Sequence, residues 1–227
     1  MNTAKTMKSA VFAFMLALAL GACSNGNGGT GKTDAGGGQN TNVSQPAVLT
    51  ESPYQLAGSE EGAADFAAIN TGYESPFTND TCWNITPGFV SENSEFTVFK
   101  YASSNETFVM YDGAAYPIGG GYGGDGVTSM ALADLTGDGV YELCYVYSED
   151  SILRVGYFDP AQKTANELSG SFSGQPVMLS SEGNTLTVCA AEVSNYESLL
   201  EMTLTAGEKL AEVTIGDGAP ELKMEEK

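Results

Sequence analysis

Oxygen donors recur at alternating positions in one acidic segment, Asp134-Leu-Thr-Gly-Asp-Gly-Val-Tyr-Glu142. Counting Asp134 as position 1, the oxygens of Thr136, Asp138, the Val140 carbonyl and Glu142 fall at positions 3, 5, 7 and 9. Gly139, at position 6, permits the sharp turn such a loop needs. This donor set suits a hard cation, since Ca²⁺ gathers several oxygens at about 2.4 Å. A helix–loop–helix calcium site would place a bidentate acid at position 12, which here is Tyr145. The alternative is an Asp/Gly-rich turn whose carboxylates face solvent.

Two apolar runs, Val127–Ala133 and Val140–Tyr147, flank the loop and read as strands that hold it. Val140–Tyr147 carries apolar or aromatic residues on both faces apart from Glu142, which predicts the most central strand. Around this pair the strand signals repeat: Glu95–Tyr101, Thr107–Tyr111, Ala115–Ile118, Ile152–Phe158, Thr185–Glu192, Leu200–Thr205 and Leu210–Ile215. Asp112-Gly113 and Ala206-Gly207 read as hairpin turns, and Asp159-Pro160 starts another turn. One short helix is predicted over Ser59–Ile69, with Ser59 as its cap. The expected fold is mainly β: an antiparallel meander, in a sandwich or partial propeller-like sheet arrangement, with one short N-terminal helix.

Ala133-Asp-Leu-Thr-Gly-Asp-Gly-Val-Tyr-Glu-Leu143 resembles the DxNxDGxxDL core of FG-GAP/VCBS repeats, found in integrin-type β-propellers and bacterial surface proteins. The resemblance implies a calcium loop between two strands of a blade, with Asp134, Thr136, Asp138, the Val140 carbonyl and Glu142 as ligands. Thr136 stands where Asn or Asp is usual, and Glu142 where Asp is usual. One copy is present, too few for a closed propeller.

Composition narrows the chemistry. The 227-residue chain has 29 Asp+Glu against 9 Lys+Arg, a formal net charge of −20, which argues against nucleic acid as a partner. It has no histidine, and Arg154 is its only arginine. Ser-His-Asp and Cys-His catalysis and imidazole-bound zinc are therefore excluded. A carboxylate-based glycoside hydrolase needs no histidine. It would use Asp125 with Asp134 or Glu142. Tyr122, Tyr141, Tyr145 and Tyr147 serve either recognition or cross-strand packing.

Lys5 and Lys8 precede an apolar run, Ala10–Leu20, too short for a permanent membrane span and suited to a secretory signal. The run ends in Leu20-Gly-Ala-Cys23, which resembles the lipobox of bacterial lipoproteins. That resemblance implies cleavage before Cys23, acylation of its thiol and a membrane anchor outside the cytoplasm, since several acyl chains anchor stably. With Cys23 acylated, Cys82, Cys144 and Cys189 remain, enough for one bridge at most. The predicted organisation is a signal peptide over 1–22, a Gly/Asn/Ser linker over 23–52 and one β-rich domain over 53–227.

Two glycine-rich segments imitate nucleotide motifs. Gly26-Asn-Gly-Gly-Thr-Gly-Lys-Thr33 has P-loop spacing but lacks the preceding strand and following helix. Gly119–Gly124 has GxGxxG spacing but leads into the β-branched Val127-Thr128. No nucleotide is expected. From Trp83 onward the chain also resembles small uncharacterised surface lipoproteins of gut Firmicutes, which implies no activity. The expected protein is a lipid-anchored, non-enzymatic binding or structural module with a protein or glycan partner. An accessory subunit of an envelope complex carries the same signature.

Overall fold

The computed structural model describes residues 47–69, 81–120, 124–198, 200–214 and 219–226. The chain divides into two compact units, Met1–Asn42 and Val43–Lys227, and every described residue belongs to the second. The signal segment, Cys23, the P-loop-like segment, Tyr122 and most of the expected linker lie outside the described residues.

The described chain begins with β1 (Val48–Leu49), β2 (Tyr54–Ala57) and α1 (Ala63–Ile69). Then come β3 (Cys82–Asn84), α2 (Gly88–Asn93), β4 (Thr97–Tyr101), β5 (Thr107–Tyr111) and β6 (Ala114–Gly119). The middle holds β7 (Gly126–Ala133), β8 (Glu142–Glu149), β9 (Ile152–Asp159) and β10 (Thr164–Glu167). The chain closes with β11 (Val177–Glu182), β12 (Thr185–Ser198), β13 (Glu201–Thr214) and β14 (Glu221–Met224).

The fold is mainly β and antiparallel, as the alternation predicts. Three four-strand meanders follow one another: β3-β4-β5-β6, β7-β8-β9-β10 and β11-β12-β13-β14. β1 extends the middle sheet at β7, and β2 pairs with the first residues of β13, Glu201–Leu204. Val48–Leu49 falls inside the span read from composition as linker, so the ordered domain starts before Pro53. β8 is the central strand of the middle sheet, as its two apolar faces require.

Local chemistry explains where the elements start and stop. Asp112 and Gly113 adopt φ of +47° and +72°, the left-handed pair that a tight hairpin turn needs. The predicted helix is shorter than expected, because Gly62 turns at φ +77° and the helix begins after it. Ser59 does not cap it. Its N–H donates to the Asn84 carbonyl at 2.9 Å and its own carbonyl accepts from Asn84 at 2.6 Å, joining it to β3. The helix α2 was not expected; Pro87 sets its entry and the Ser94 hydroxyl donates to the Val90 carbonyl at 2.7 Å. The expected turn at Ala206-Gly207 is instead a β-bulge within the 14-residue β13, between the pairs Cys189↔Lys209 and Ala191↔Ala206.

One core packs the first meander against the other two, with Tyr54, Val98, Val109, Met130, Tyr145 and Phe158 at its centre. A second lies between the middle and last sheets, around Ala131, Val146, Val155, Leu179 and Val188. Polar ties cross between sheets: the Thr107 hydroxyl accepts from Val127 N–H at 3.2 Å, and Ser129 Oγ accepts from Leu179 N–H at 3.0 Å. Buried Lys100 donates to the Val127 carbonyl at 3.4 Å, and burial lowers its ammonium to about 8, partly countered by Asp125. Cys144 and Cys189 are buried free thiols on strands, and Cys82 is half-buried.

The glycine-rich passage from β6 to β7 is a packing device. A Cβ on Gly120 or Gly126 would stand 2.4 or 2.0 Å from the Asn105 carbonyl oxygen, and both residues have positive φ. Only glycine lets these backbones meet. A strand follows, as the β-branched residues after Gly124 predict.

Candidate functional site

The acidic loop is the connection between β7 and β8. Ala133 pairs with Glu142, so the hairpin closes at the loop's two ends. Each carboxylate faces the loop's own backbone. Asp134 accepts from Gly137 N–H at 2.8 Å through Oδ1 and from Gly139 N–H at 3.0 Å through Oδ2. Asp138 accepts from Val140 N–H at 2.8 Å. Glu142 is 1% exposed and accepts from Leu135 N–H at 2.6 Å and from the Thr136 hydroxyl at 3.3 Å. Burial lifts its carboxyl from the ordinary 4.5 to about 7, against the lowering effect of those two hydrogen bonds.

The structure thus brings Asp134, Thr136, Asp138, Val140 and Glu142 into one loop, where the Asp134, Asp138 and Glu142 carboxylates are each hydrogen-bonded to the loop's own backbone. Among the described residues, no three His, Cys, Asp or Glu side chains are arranged to hold a metal ion. The donor chemistry is that of a calcium loop; the arrangement is that of a loop capped by its own side chains. A cation entering here would have to exchange with hydrogen bonds already made.

The hydrolase candidates are not assembled. Asp125 precedes and Asp134 follows the eight-residue β7, which holds them roughly 30 Å apart at about 3.4 Å per residue. Glu142 lies at the Asp134 end. Paired glycosidase carboxylates stand about 5 to 9 Å apart. Asp125 lines a different cleft, with Tyr196 and Met202.

A better-formed site lies where the first and middle meanders meet. A cavity of about 490 Å³ opens between β5 and β6 on one side and β8 and β10 on the other. Cross-strand register builds its floor. Tyr145 of β8 stands opposite Gly156 of β9, which stands opposite Glu167 of β10, so all three share one face. Gly156 leaves the space that the Tyr145 ring fills; a Cβ there would meet that ring at 2.7 Å. Two residues on, Tyr147 faces Arg154. The Tyr147 hydroxyl donates to Glu167 Oε2 at 2.7 Å, and Arg154 Nη1 donates to Oε1 at 2.6 Å. Gly119 lets the Tyr147 ring lie against β6, where a Cβ would come within 2.8 Å.

Glu106 and Glu149 complete the acidic lining. Glu106 accepts from the Ser104 hydroxyl at 3.1 Å, and partial burial raises its carboxyl above the usual range. Burial also raises the Tyr145 and Tyr147 hydroxyls, so both stay neutral at physiological pH. Of the aromatics read as recognition or packing, Tyr145 and Tyr147 line this cavity, while Tyr141 lies beside the acidic loop. Sequence reasoning missed Glu106, Glu149, Arg154 and Glu167. The legible signals were Tyr-x-Tyr-x-Glu over 145–149, which places all three on one strand face, and a glycine inside β9, which marks close approach.

No protein-family model, curated protein or solved structure matches the chain.

Proposed function

We propose that this chain is a lipid-anchored, extracytoplasmic, non-enzymatic binding module. The observation that carries the reading is the order of segments. Basic residues, an apolar run and Leu20-Gly-Ala-Cys23 precede a Gly/Asn-rich stretch, which leads to a compact β-rich unit beginning at Val43. Cys23 is the acylation site in this reading, and the stretch after it is a flexible tether. The wide separation of Asp125 from Asp134 and Glu142 supports a binding role over carboxylate hydrolysis. Calcium at the 134–142 loop belongs to the same proposal and would reinforce the central hairpin without a catalytic part.

Metabolic labelling with a palmitate analogue tests the anchor. The wild-type chain is expected to incorporate label and stay with the membrane fraction, exposed to added protease on intact cells. Cys23→Ala should lose the label and leave the membrane; identical fractionation of the two would overturn the reading. A second reading, an accessory subunit of an envelope complex, is favoured by one surface. The far half of β12 leaves Val193 and Tyr196 exposed, at 41% and 60%. Chemical crosslinking on intact cells, with Tyr196→Ser as the variant, separates the two readings.

A further inference from the structure

The cavity between the first and middle meanders has the chemistry of a site for an organic cation, and we infer that it binds an alkylammonium group. The inference rests on the binding-module reading and names the ligand class that module takes. Three independent features point the same way. Glu106, Glu149 and Glu167 line one cavity, and no Lys or Arg is among its described lining residues. Arg154 sits behind Glu167, with Nη1 spent on that carboxylate.

The second feature is Tyr145. It is 2% exposed and lines the cavity, yet its hydroxyl makes no hydrogen bond among the described residues. Among the described residues the enclosed polar atoms without a partner are Tyr54 Oη, Trp83 Nε1 and Arg154 Nε, so the Tyr145 hydroxyl, which has no protein partner, opens onto the cavity. The ring is locked over Gly156, which fixes the hydroxyl at the cavity wall. A ligand donor at the cavity wall would satisfy it.

The third feature is spacing. Among the described residues no three acidic side chains are close enough together to hold a metal ion. At about 490 Å³ the cavity is instead of the size that takes a small organic ligand. An ammonium carries three N–H donors on a tetrahedral nitrogen. The Tyr145 oxygen and carboxylate oxygens from the rim are acceptors of the kind it needs. The chain's formal net charge of −20 raises the local concentration of any cation and speeds its arrival.

Calorimetric titration of the full chain, in a non-ionic detergent, tests this with spermidine, a lysine tripeptide and the neutral sugar cellotetraose. Saturable one-to-one binding of spermidine or of the tripeptide is expected, and the tighter of the two identifies the source as a free polyamine or a lysyl side chain. Tyr145→Phe and Glu106→Gln should each weaken binding about tenfold. Glu92→Gln, on exposed α2, removes the same charge outside the cavity and should change affinity less than twofold. Melting curves of each variant, read beforehand, separate lost binding from lost folding, and Glu149→Gln on the exposed rim serves if Tyr145→Phe is unstable. Palmitate labelling of the same preparations keeps failure of the anchor distinct from failure of the cavity. No saturable amine binding, an equal loss in Glu92→Gln, or binding of cellotetraose in place of amine would each overturn the inference.

Discussion

The 134–142 loop and the cavity between the first two meanders hold the same kind of side chain and use it in opposite ways. In the loop, Asp134, Asp138 and Glu142 are neighbours in sequence and turn inward on backbone N–H groups a few residues away. Their chemistry is spent on holding a turn. In the cavity, Glu106, Glu149 and Glu167 come from separate strands, and Glu149 and Glu167 are exposed. Beside them stands a hydroxyl that nothing in the described chain satisfies. Acid density in a sequence therefore marks the place where charge is consumed locally, and the topology builds the place where it is left over.

The largest contrast is expected in stability. Glu142→Ala removes the acceptor of a buried N–H and of the Thr136 hydroxyl, and leaves a void at the hinge of the central hairpin. An orphaned donor and a small cavity together are expected to cost about 3 kcal/mol in urea unfolding. Glu149→Ala, on the exposed cavity rim, should stay within about 0.5 kcal/mol of wild type. Equal effects would erase the distinction between a structural and a spare carboxylate.

How far each region was legible follows from the same contrast. The loop is a local motif, so its residues, its flanking strands and the central place of β8 could be read from spacing and period. The Asp112-Gly113 turn was legible for the same reason, since two left-handed residues in a row leave few sequences. The cavity depends on register: Tyr145, Gly156 and Glu167 meet because β8, β9 and β10 pair as they do. Register is set by the whole sheet, and no window along the chain contains it. The turn expected at Ala206-Gly207 failed for a related reason. A small pair suits a bulge as well as a turn, and pairing along the whole of β12 decides between them.

Titration offers a smaller contrast of the same kind. In the folded chain the Glu142 carboxyl is raised from 4.5 to about 7, so folding favours its neutral form. Its contribution to stability is full below about pH 4.5 and is lost as pH rises through 7. Urea unfolding across that window is expected to show wild type losing about 2 kcal/mol relative to Glu142→Gln, which keeps acceptor and donor groups but no longer titrates. Glu106 is raised by burial as well, so Glu106→Gln should remove a share of the slope in the same direction. A Glu142→Gln profile parallel to wild type would show that the loop carboxylate ionises at no cost.

Calcium tests the loop most finely, because the hydrogen bonds already made there limit what a cation can add. A ligand present at ten times its Kd stabilises by about 1.4 kcal/mol, which in a domain of this size raises Tm by about 3 to 6 °C. Millimolar Ca²⁺ against chelator is expected to shift the wild-type melt by about 3 °C, and Asp138→Ala should abolish the shift. Asp138 is the informative position because it is exposed and its hydrogen bond to Val140 N–H spans only two residues. Losing that bond disturbs the hairpin far less than losing Glu142 does, so the variant reports the cation and not the fold. Adding calcium should leave spermidine binding unchanged, since loop and cavity share no lining residue. A melt indifferent to chelator would leave the loop to its hydrogen bonds alone, whereas calcium that displaced spermidine would show one acidic surface where the structure places two.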